Sequence, residues 1–181
     1  MRKIFLALLL TFVFVPMLSA GPIGIGGFGG ANIPIVQEDQ STGAAFGLHG
    51  KIKLIPALVA EGNLTFSKYG ETTKEISSIN NTIEGSKVNS YGIDLLLGGG
   101  TGGVPGFRPY GVFGAAFYNT SRDFDESTTR LGWSAGFGFE INPAPKIGLD
   151  FRGKVIVIGT EGGGSKKSAL VTAGFFYYLG Y

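Results

Sequence analysis

"RLGWSAGFGFEI", residues 130–141, puts Leu131, Trp133, Phe137, Phe139 and Ile141 on one side of a period of two, with Ser134, Gly136, Gly138 and Glu140 between them. Side chains two apart share a face of an extended chain, so this stretch reads as a strand with one greasy face and one small or polar face. Strands of ordinary domains run about 5–6 residues. Twelve residues of unbroken alternation is closer to the length a tilted strand needs to cross a bilayer, about 9–11.

The pattern recurs. Eight segments share it: Gly24–Val36, Ala44–Leu54, Ala57–Lys68, Val88–Leu97, Arg108–Asn119, Arg130–Ile141, Lys146–Ile158 and Lys167–Tyr181. In the second, Phe46, Leu48, Ile52 and Leu54 oppose His49, Lys51 and Lys53; in the seventh, Ile147, Leu149, Phe151, Val155 and Val157 oppose Asp150, Arg152 and Lys154. The first and fifth are ambiguous, because glycine and apolar residues occupy both faces. No stretch beyond residue 20 keeps a helical period for ten residues. The joins alternate: Ile55-Pro56, Gly98–Phe107 and Asn142–Pro145 are tight or rich in glycine and proline, whereas the others, including Tyr69–Lys87, are mostly more polar. An antiparallel up-and-down meander produces this alternation, with turns at one end and polar loops at the other.

Such a meander can close around its apolar face, as a soluble lipocalin-like carrier does, or with that face turned to lipid. Three features favour lipid. The polar face away from the tight turns is small (Ala45, Gly47, Gly92, Gly114, Gly132, Ser134, Gly136 and Gly174), which suits a narrow lumen better than a wetted surface. Its charges gather near the tight-turn end: Lys51, Lys53, Glu61, Asp94, Arg108, Glu140, Asp150, Arg152 and Lys154 nearly balance, as ions enclosed at low dielectric must. Tyr91, Trp133, Phe139, Tyr177 and Tyr181 lie near the ends of the apolar face, as in an interfacial girdle. The fold expected is therefore an all-β, eight-stranded antiparallel transmembrane barrel over residues 21–181.

The last segment, "TAGFFYYLGY" (172–181), runs from a polar residue through a glycine to alternating hydrophobic residues and a terminal aromatic. It resembles the C-terminal assembly signal of bacterial outer-membrane barrels, and residues 21–181 as a whole resemble the small eight-stranded barrels of the OmpA/OmpX type. The resemblance implies that Thr172, Gly174, Tyr177, Leu179 and Tyr181 are read by the barrel assembly machinery. It also implies a monomer in contact with the bilayer and lipopolysaccharide, acting structurally or through its loops in envelope integrity, adhesion or ligand contact. No peptidoglycan-binding domain follows the barrel, unlike the two-domain members.

Residues 1–20 read as a secretory signal: Arg2 and Lys3, an apolar run from Ile4 to Val15, Pro16, and Leu18-Ser19-Ala20 before the cleavage point. An uncleaved anchor is the alternative, but the run is shorter than the about 20 residues of a membrane-spanning helix. Fifteen basic residues less Arg2 and Lys3 leave 13 against 13 acidic ones, a neutral remainder that gives no support to nucleic-acid binding. With no cysteine, disulfides, thiol chemistry, zinc clusters and a lipoprotein anchor are excluded.

Glycine is abundant, 32 of 181 residues, against a usual share of about 7%. Gly24, Gly26 and Gly29 match G-x-G-x-x-G, yet the match lies inside the first strand with no helix after it, so a nucleotide loop is not expected. Glycine there makes room for bulky neighbours across the lumen, Phe176 and Tyr178 being the candidates. The stretch at 98–106 lacks the lysine of a phosphate loop and reads as a turn. His49, the one histidine, lies on the polar face and reads as a member of the internal network. A lipid-A-modifying enzyme would need it at the lipid-exposed rim, and no catalytic residues, cofactor or metal are assigned. Asp123, Asp125 and Glu126 cluster in a loop without the spacing of a calcium site. A narrow passive pore is the remaining alternative to a filled lumen.

Overall fold

A strand with unlike faces settles where its two sides meet unlike surroundings, and each of the eight segments forms one. The computed structural model describes residues 23–35, 40–70, 72–76, 79–83, 85–98, 105–121, 127–160 and 164–180, with the backbone path alone between 72 and 83. Residues 1–20, the acidic cluster Asp123, Asp125 and Glu126, and Tyr181 lie outside the described residues. The strands are β1 (Ile23–Pro34), β2 (Ser41–Ile55), β3 (Leu58–Gly70), β4 (Thr72–Ile76), β5 (Ile79–Ile83), β6 (Lys87–Leu97), β7 (Gly106–Ser121), β8 (Thr128–Ala144), β9 (Ile147–Gly159) and β10 (Ser165–Leu179).

Eight of them close a barrel in the order β1-β10-β9-β8-β7-β6-β3-β2, all neighbours antiparallel. Gly24 faces Lys51 of β2 on one side and Tyr178 of β10 on the other, so the first and last strands seal the sheet and leave no edge. The eight-stranded antiparallel barrel expected from the alternation is the fold observed, with strand ends within three residues of the expected ones. One element was not anticipated. The connection read as a polar loop, Tyr69–Lys87, contains the hairpin β4–β5, paired only with itself. At the opposite end, Gly98 closes β6 with φ +90°, and its N–H donates to the Ala57 carbonyl, tying two tight turns together. That backbone conformation favours glycine.

The faces separate by polarity. Phe46, Leu48, Ile93, Phe113, Trp133, Phe137 and Val171 point outward and are exposed, while Lys51, Glu61, Asp94, Glu140, Asp150 and Arg152 are buried inside. Phe137 is 76% exposed and Glu140, three residues on, 0%. This is the inverse of a water-soluble barrel, so the lipocalin-like carrier is overturned: its apolar face would line the cavity. Tyr91, Trp133 and Tyr177 face outward, and Phe139 stacks between Phe107 and Phe151 at centroid distances of 5.3 and 5.2 Å.

The interior is not uniformly polar. Val59, Leu96, Tyr110 and Val112 form an apolar layer toward the tight turns. Tyr69, Val88, Tyr118, Ile156, Ile158 and Leu170 form a larger one toward the loops. The charges lie between. This explains the ambiguity of the fifth segment, whose strand β7 sends Tyr110, Val112, Ala116 and Tyr118 inward and Phe113 and Phe117 outward. Two of the three nucleotide-like glycines have the structural task anticipated for them. Gly24 and Gly26 face inward opposite Tyr178 and Phe176. A Cβ at Gly24 would lie 2.8 Å from the Tyr178 ring, and one at Gly26 would fall on the Phe175 carbonyl oxygen. Gly29 faces outward, with only the Ala45 carbonyl oxygen near, at 4.0 Å.

Candidate functional site in the barrel lumen

Facing strands aim the inward charges of the tight-turn half at one another. Lys51 on β2 lies opposite Glu61 on β3, Glu61 opposite Asp94 on β6, and Glu140 on β8 opposite Asp150 on β9. Ladder neighbours do not simply pair, however. Arg152 reaches across the lumen from β9 and grips Glu61 with both terminal nitrogens, Nη1 to Oε1 at 2.5 Å and Nη2 to Oε2 at 2.8 Å. Its remaining donors meet Asp94 at 3.4 Å, Asp150 at 3.3 Å and the Tyr110 hydroxyl at 3.1 Å. A planar fork with five donors can grip one carboxylate with two parallel bonds and still reach others, a geometry that the point charge of an ammonium does not fix. Lys154 completes this group with an Asp94 contact of 2.8 Å, and the Tyr110 hydroxyl donates to Asp150 at 2.5 Å.

A second group lies between β2, β8 and β10. Lys51 pairs with Glu140 and sits 3.8 Å from the centroid of the Phe176 ring. Glu140 also accepts from the Tyr178 hydroxyl and, at 2.6 Å, from Asn142. His49 lies beside the belt: its Nδ1 is 3.7 Å from Glu61, and its ring stacks on Phe176 at 3.8 Å and tilts against Phe28 at 5.1 Å.

The nine charged residues assigned to the lumen thus divide. Lys51, Glu61, Asp94, Glu140, Asp150, Arg152 and Lys154 are buried in contact with one another. Lys53 and Arg108 share the inner face but are half-buried at the tight-turn rim. Among the described residues Lys53 makes no ion pair; two residues beyond Lys51 its ammonium reaches the rim, where water can solvate it. The neighbours of the belt were foreseen only in part: Phe176 and Tyr178 were expected in the lumen but not as partners of Lys51 and Glu140, and Tyr110 and Asn142 were not singled out. Tyr110, Asn142, Phe176 and Tyr178 give the carboxylates donors and Lys51 an aromatic wall, and the available signal was their inward parity with Arg108, Glu140 and Gly174. Above the belt, two small voids are lined by described residues. The voids beside Asn32 and Lys154 and beside Gln40 and Lys166 each hold about 10 Å³, no more than the about 10–15 Å³ that one water needs. Among the described residues no group of histidine and carboxylate ligands is arranged for a metal.

An eight-stranded barrel with lipid-facing apolar walls and a charged, packed lumen agrees with the match to the family model described as outer membrane protein beta-barrel domain, over residues 5–177. The chain belongs to that family. This outer-membrane barrel superposes on the crystal structure of neisserial surface protein A with a TM-score of 0.67 at 16% identity, covering 88% of this chain and 99% of that one. The N-terminal barrel of Pseudomonas aeruginosa OprF gives 0.57 at 16% identity, covering 87% and 97%. OprG of the same organism gives 0.56 at 14% identity, covering 89% and 97%. At these identities the likeness concerns the fold. No curated protein matches by sequence. The barrel is a bacterial outer-membrane protein of the small eight-stranded class, and its apolar wall sits in the lipid bilayer.

Proposed function

We propose that this barrel is a closed, non-conducting scaffold whose work is done at its loop end, in envelope integrity, adhesion or ligand contact. The observation that carries the reading is the belt of Lys51–Glu140, Arg152–Glu61 and Lys154–Asp94, which crosses the lumen between two apolar layers. Such a belt supports a lumen that offers ions no water-filled path. Function is then left to surfaces a rigid scaffold presents, and among the described residues the β4–β5 hairpin is the regular structure outside the barrel. Absence of step conductance for the purified barrel in planar bilayers, together with loss of surface binding when residues 72–83 are replaced by a short turn, tests the proposal. Stable channels in the unmodified protein would refute it.

The pore is the second reading. It is favoured by Arg152 touching three carboxylates, Glu61, Asp94 and Asp150, between which it could exchange. Stable step conductance in the unmodified barrel, altered by Glu140→Ala or Arg152→Ala, would support it. No chemistry is assigned to His49, which is 4% exposed and enclosed by Phe28 and Phe176. Unaltered lipid A in a His49→Ala strain is the expected result.

Biogenesis follows the same reading: export by the segment 1–20, then recognition of Thr172, Gly174, Tyr177, Leu179 and Tyr181 by the assembly machinery, yielding a monomer. Tyr177 and Leu179 face outward and Thr172 inward, so β10 presents a distinct pattern on each face.

A further inference from the structure

Buried polar groups take partners, yet in the loop half of the lumen two amide oxygens have none among the described residues: Oδ1 of Asn32, 4% exposed, and Oε1 of Gln40, 8% exposed. Asn32 lines one of the two small voids above the belt, and Gln40 lines the other. Tyr69 and Ser168 border both voids, so the two lie side by side. Asn63 and Asn142, which also carry an unpartnered buried atom, line neither.

A neighbour fixes which way the Asn32 amide is turned. Its Nδ2 donates to the Ser67 hydroxyl at 3.3 Å, and that hydroxyl gives its single hydrogen to the Val88 carbonyl at 2.9 Å. Turning the amide over would set its oxygen against a hydroxyl with no hydrogen left to give. The oxygen is therefore the atom in want of a donor, and leaving it without one inside the barrel is costly. Gln40 is anchored in the same sense, with Nε2 donating to the Ser86 hydroxyl at 2.7 Å.

The walls of the voids indicate the donor. Lys154 lines the first and Lys166 the second. An ammonium has three donors and no acceptor, and the 2.8 Å contact with Asp94 uses one donor of Lys154. Each void thus combines an amide oxygen that must accept with a lysine that must donate. A metal cation is repelled by the ammonium, and a halide has no hydrogen to offer the amide oxygen. A molecule that both donates and accepts satisfies the two together. With about 10 Å³ in each void, water is the one that fits, since a single water needs about 10–15 Å³.

We propose that the loop half of the lumen binds two ordered waters, one bridging Asn32 and Lys154 and one bridging Gln40 and Lys166, linked past the Tyr69 and Ser168 hydroxyls into a file that ends on the charged belt. The Lys154–Asp94 pair is then hydrated from the loop side. The Lys51–Glu140 pair, walled by Phe176 and Tyr178, lies off the file. These sites belong to the interior alone and stand whatever the loops bind.

The full barrel, methyl-labelled at isoleucine, leucine and valine, is reconstituted in phosphatidylcholine bilayers, and magnetisation transfer from water to the methyl protons is recorded by solid-state NMR. Methyl protons do not exchange with water, so a cross-peak reports a water in contact. Ile156 and Leu170 line the first void and Val88 lines both, and cross-peaks to these buried methyls are the expected result. Val59 and Leu96, in the layer toward the tight turns, should show none. Asn32→Leu keeps the size of the side chain and removes the amide, so it should erase the peaks at Ile156 and Leu170 in a barrel that still migrates as a heat-modifiable folded species. Absence of the peaks at Ile156, Leu170 and Val88 in the unmodified protein, which decides even where the variant does not fold, overturns the proposal and leaves the closed belt standing. Equal transfer to Val59 and Leu96 overturns it together with the closed scaffold, since bulk water would then fill the lumen. Peaks unchanged in folded Asn32→Leu also overturn it, because the water would owe nothing to the amide.

Discussion

Replacing Glu140 by glutamine leaves the size and the acceptor oxygen of the side chain in place and removes its charge. In the folded barrel Lys51 and Glu140 are 1% and 0% exposed, so the ammonium of Lys51 would be left enclosed with no carboxylate in contact. Tyr178 keeps an acceptor, and Phe176 remains 3.8 Å from the ammonium, which confines the loss chiefly to the charge. Stranding one partner of a buried pair costs about 3–5 kcal/mol, and the retained neighbours put Glu140→Gln near 3. Lys51→Met strands Glu140, still held by Tyr178 and Asn142, and should cost about 2–3 kcal/mol. The double variant encloses no unpaired charge, so it should lie within about 1 kcal/mol of the parent. The coupling between the two positions is then at least about 4 kcal/mol. Reversible urea unfolding in phosphatidylcholine vesicles, followed by Trp133 emission and by gel mobility of the folded form, measures all four proteins. A coupling below about 1 kcal/mol would mean that water reaches the pair, and the sealed lumen would have to be abandoned.

Gly26→Val places side-chain atoms on the Phe175 carbonyl and should abolish the heat-modifiable folded species, whereas Gly62→Ala should migrate as the parent does. Spin labels at Phe137 and Leu149, 76% and 40% exposed, should be relaxed by oxygen and not by a water-soluble nickel chelate; the reverse would turn the barrel inside out. Replacing residues 72–83 with a short turn should shift barrel stability by no more than about 0.5 kcal/mol, because β4 and β5 share no ladder with the wall. A larger loss would show that the hairpin braces the barrel.

The barrel was legible because alternation is a local property. Residues 130–141 could be assigned from their own order, and neighbouring strands repeated the pattern. Closure was legible too, since an even-stranded meander rich in glycine has few other outcomes. The hairpin β4–β5 was hidden because its strands are five residues each and polar, without the greasy face that marks the wall. Partners within the lumen were hidden for another reason: they lie across the barrel. Ladder register sets Glu61 beside Lys51 and Asp94, yet its closest cation is Arg152, 91 residues away. Only the closed curvature of the sheet brings β3 and β9 within reach. The apolar layers could have been glimpsed where alternation fails, at Leu95-Leu96-Leu97 and at Val155-Ile156-Val157-Ile158, since Leu96, Ile156 and Ile158 turn inward.

The arrangement of the belt bears on whether it can open. Lys51 has one carboxylate partner, Glu140, and freeing it takes the full cost of an enclosed charge. Arg152 has three, so it can slide from Glu61 toward Asp94 or Asp150 while remaining paired. Opening a continuous path requires both groups to part. At about 3 kcal/mol for each, the open state would hold about one molecule in 10⁴. If exchange lowers the Arg152 contribution to about 1 kcal/mol, the fraction rises to about one in 10³. The two groups therefore predict unequal effects. Glu140→Gln removes the pair with no substitute and should make rare openings more frequent. Asp150→Asn, which takes away one of three carboxylate partners of Arg152 and still leaves the Tyr110 hydroxyl an acceptor, should change them far less, although it removes the same charge from the same lumen. Single-barrel recordings that found the two variants equally leaky would show that net charge, not pairing, holds the lumen shut.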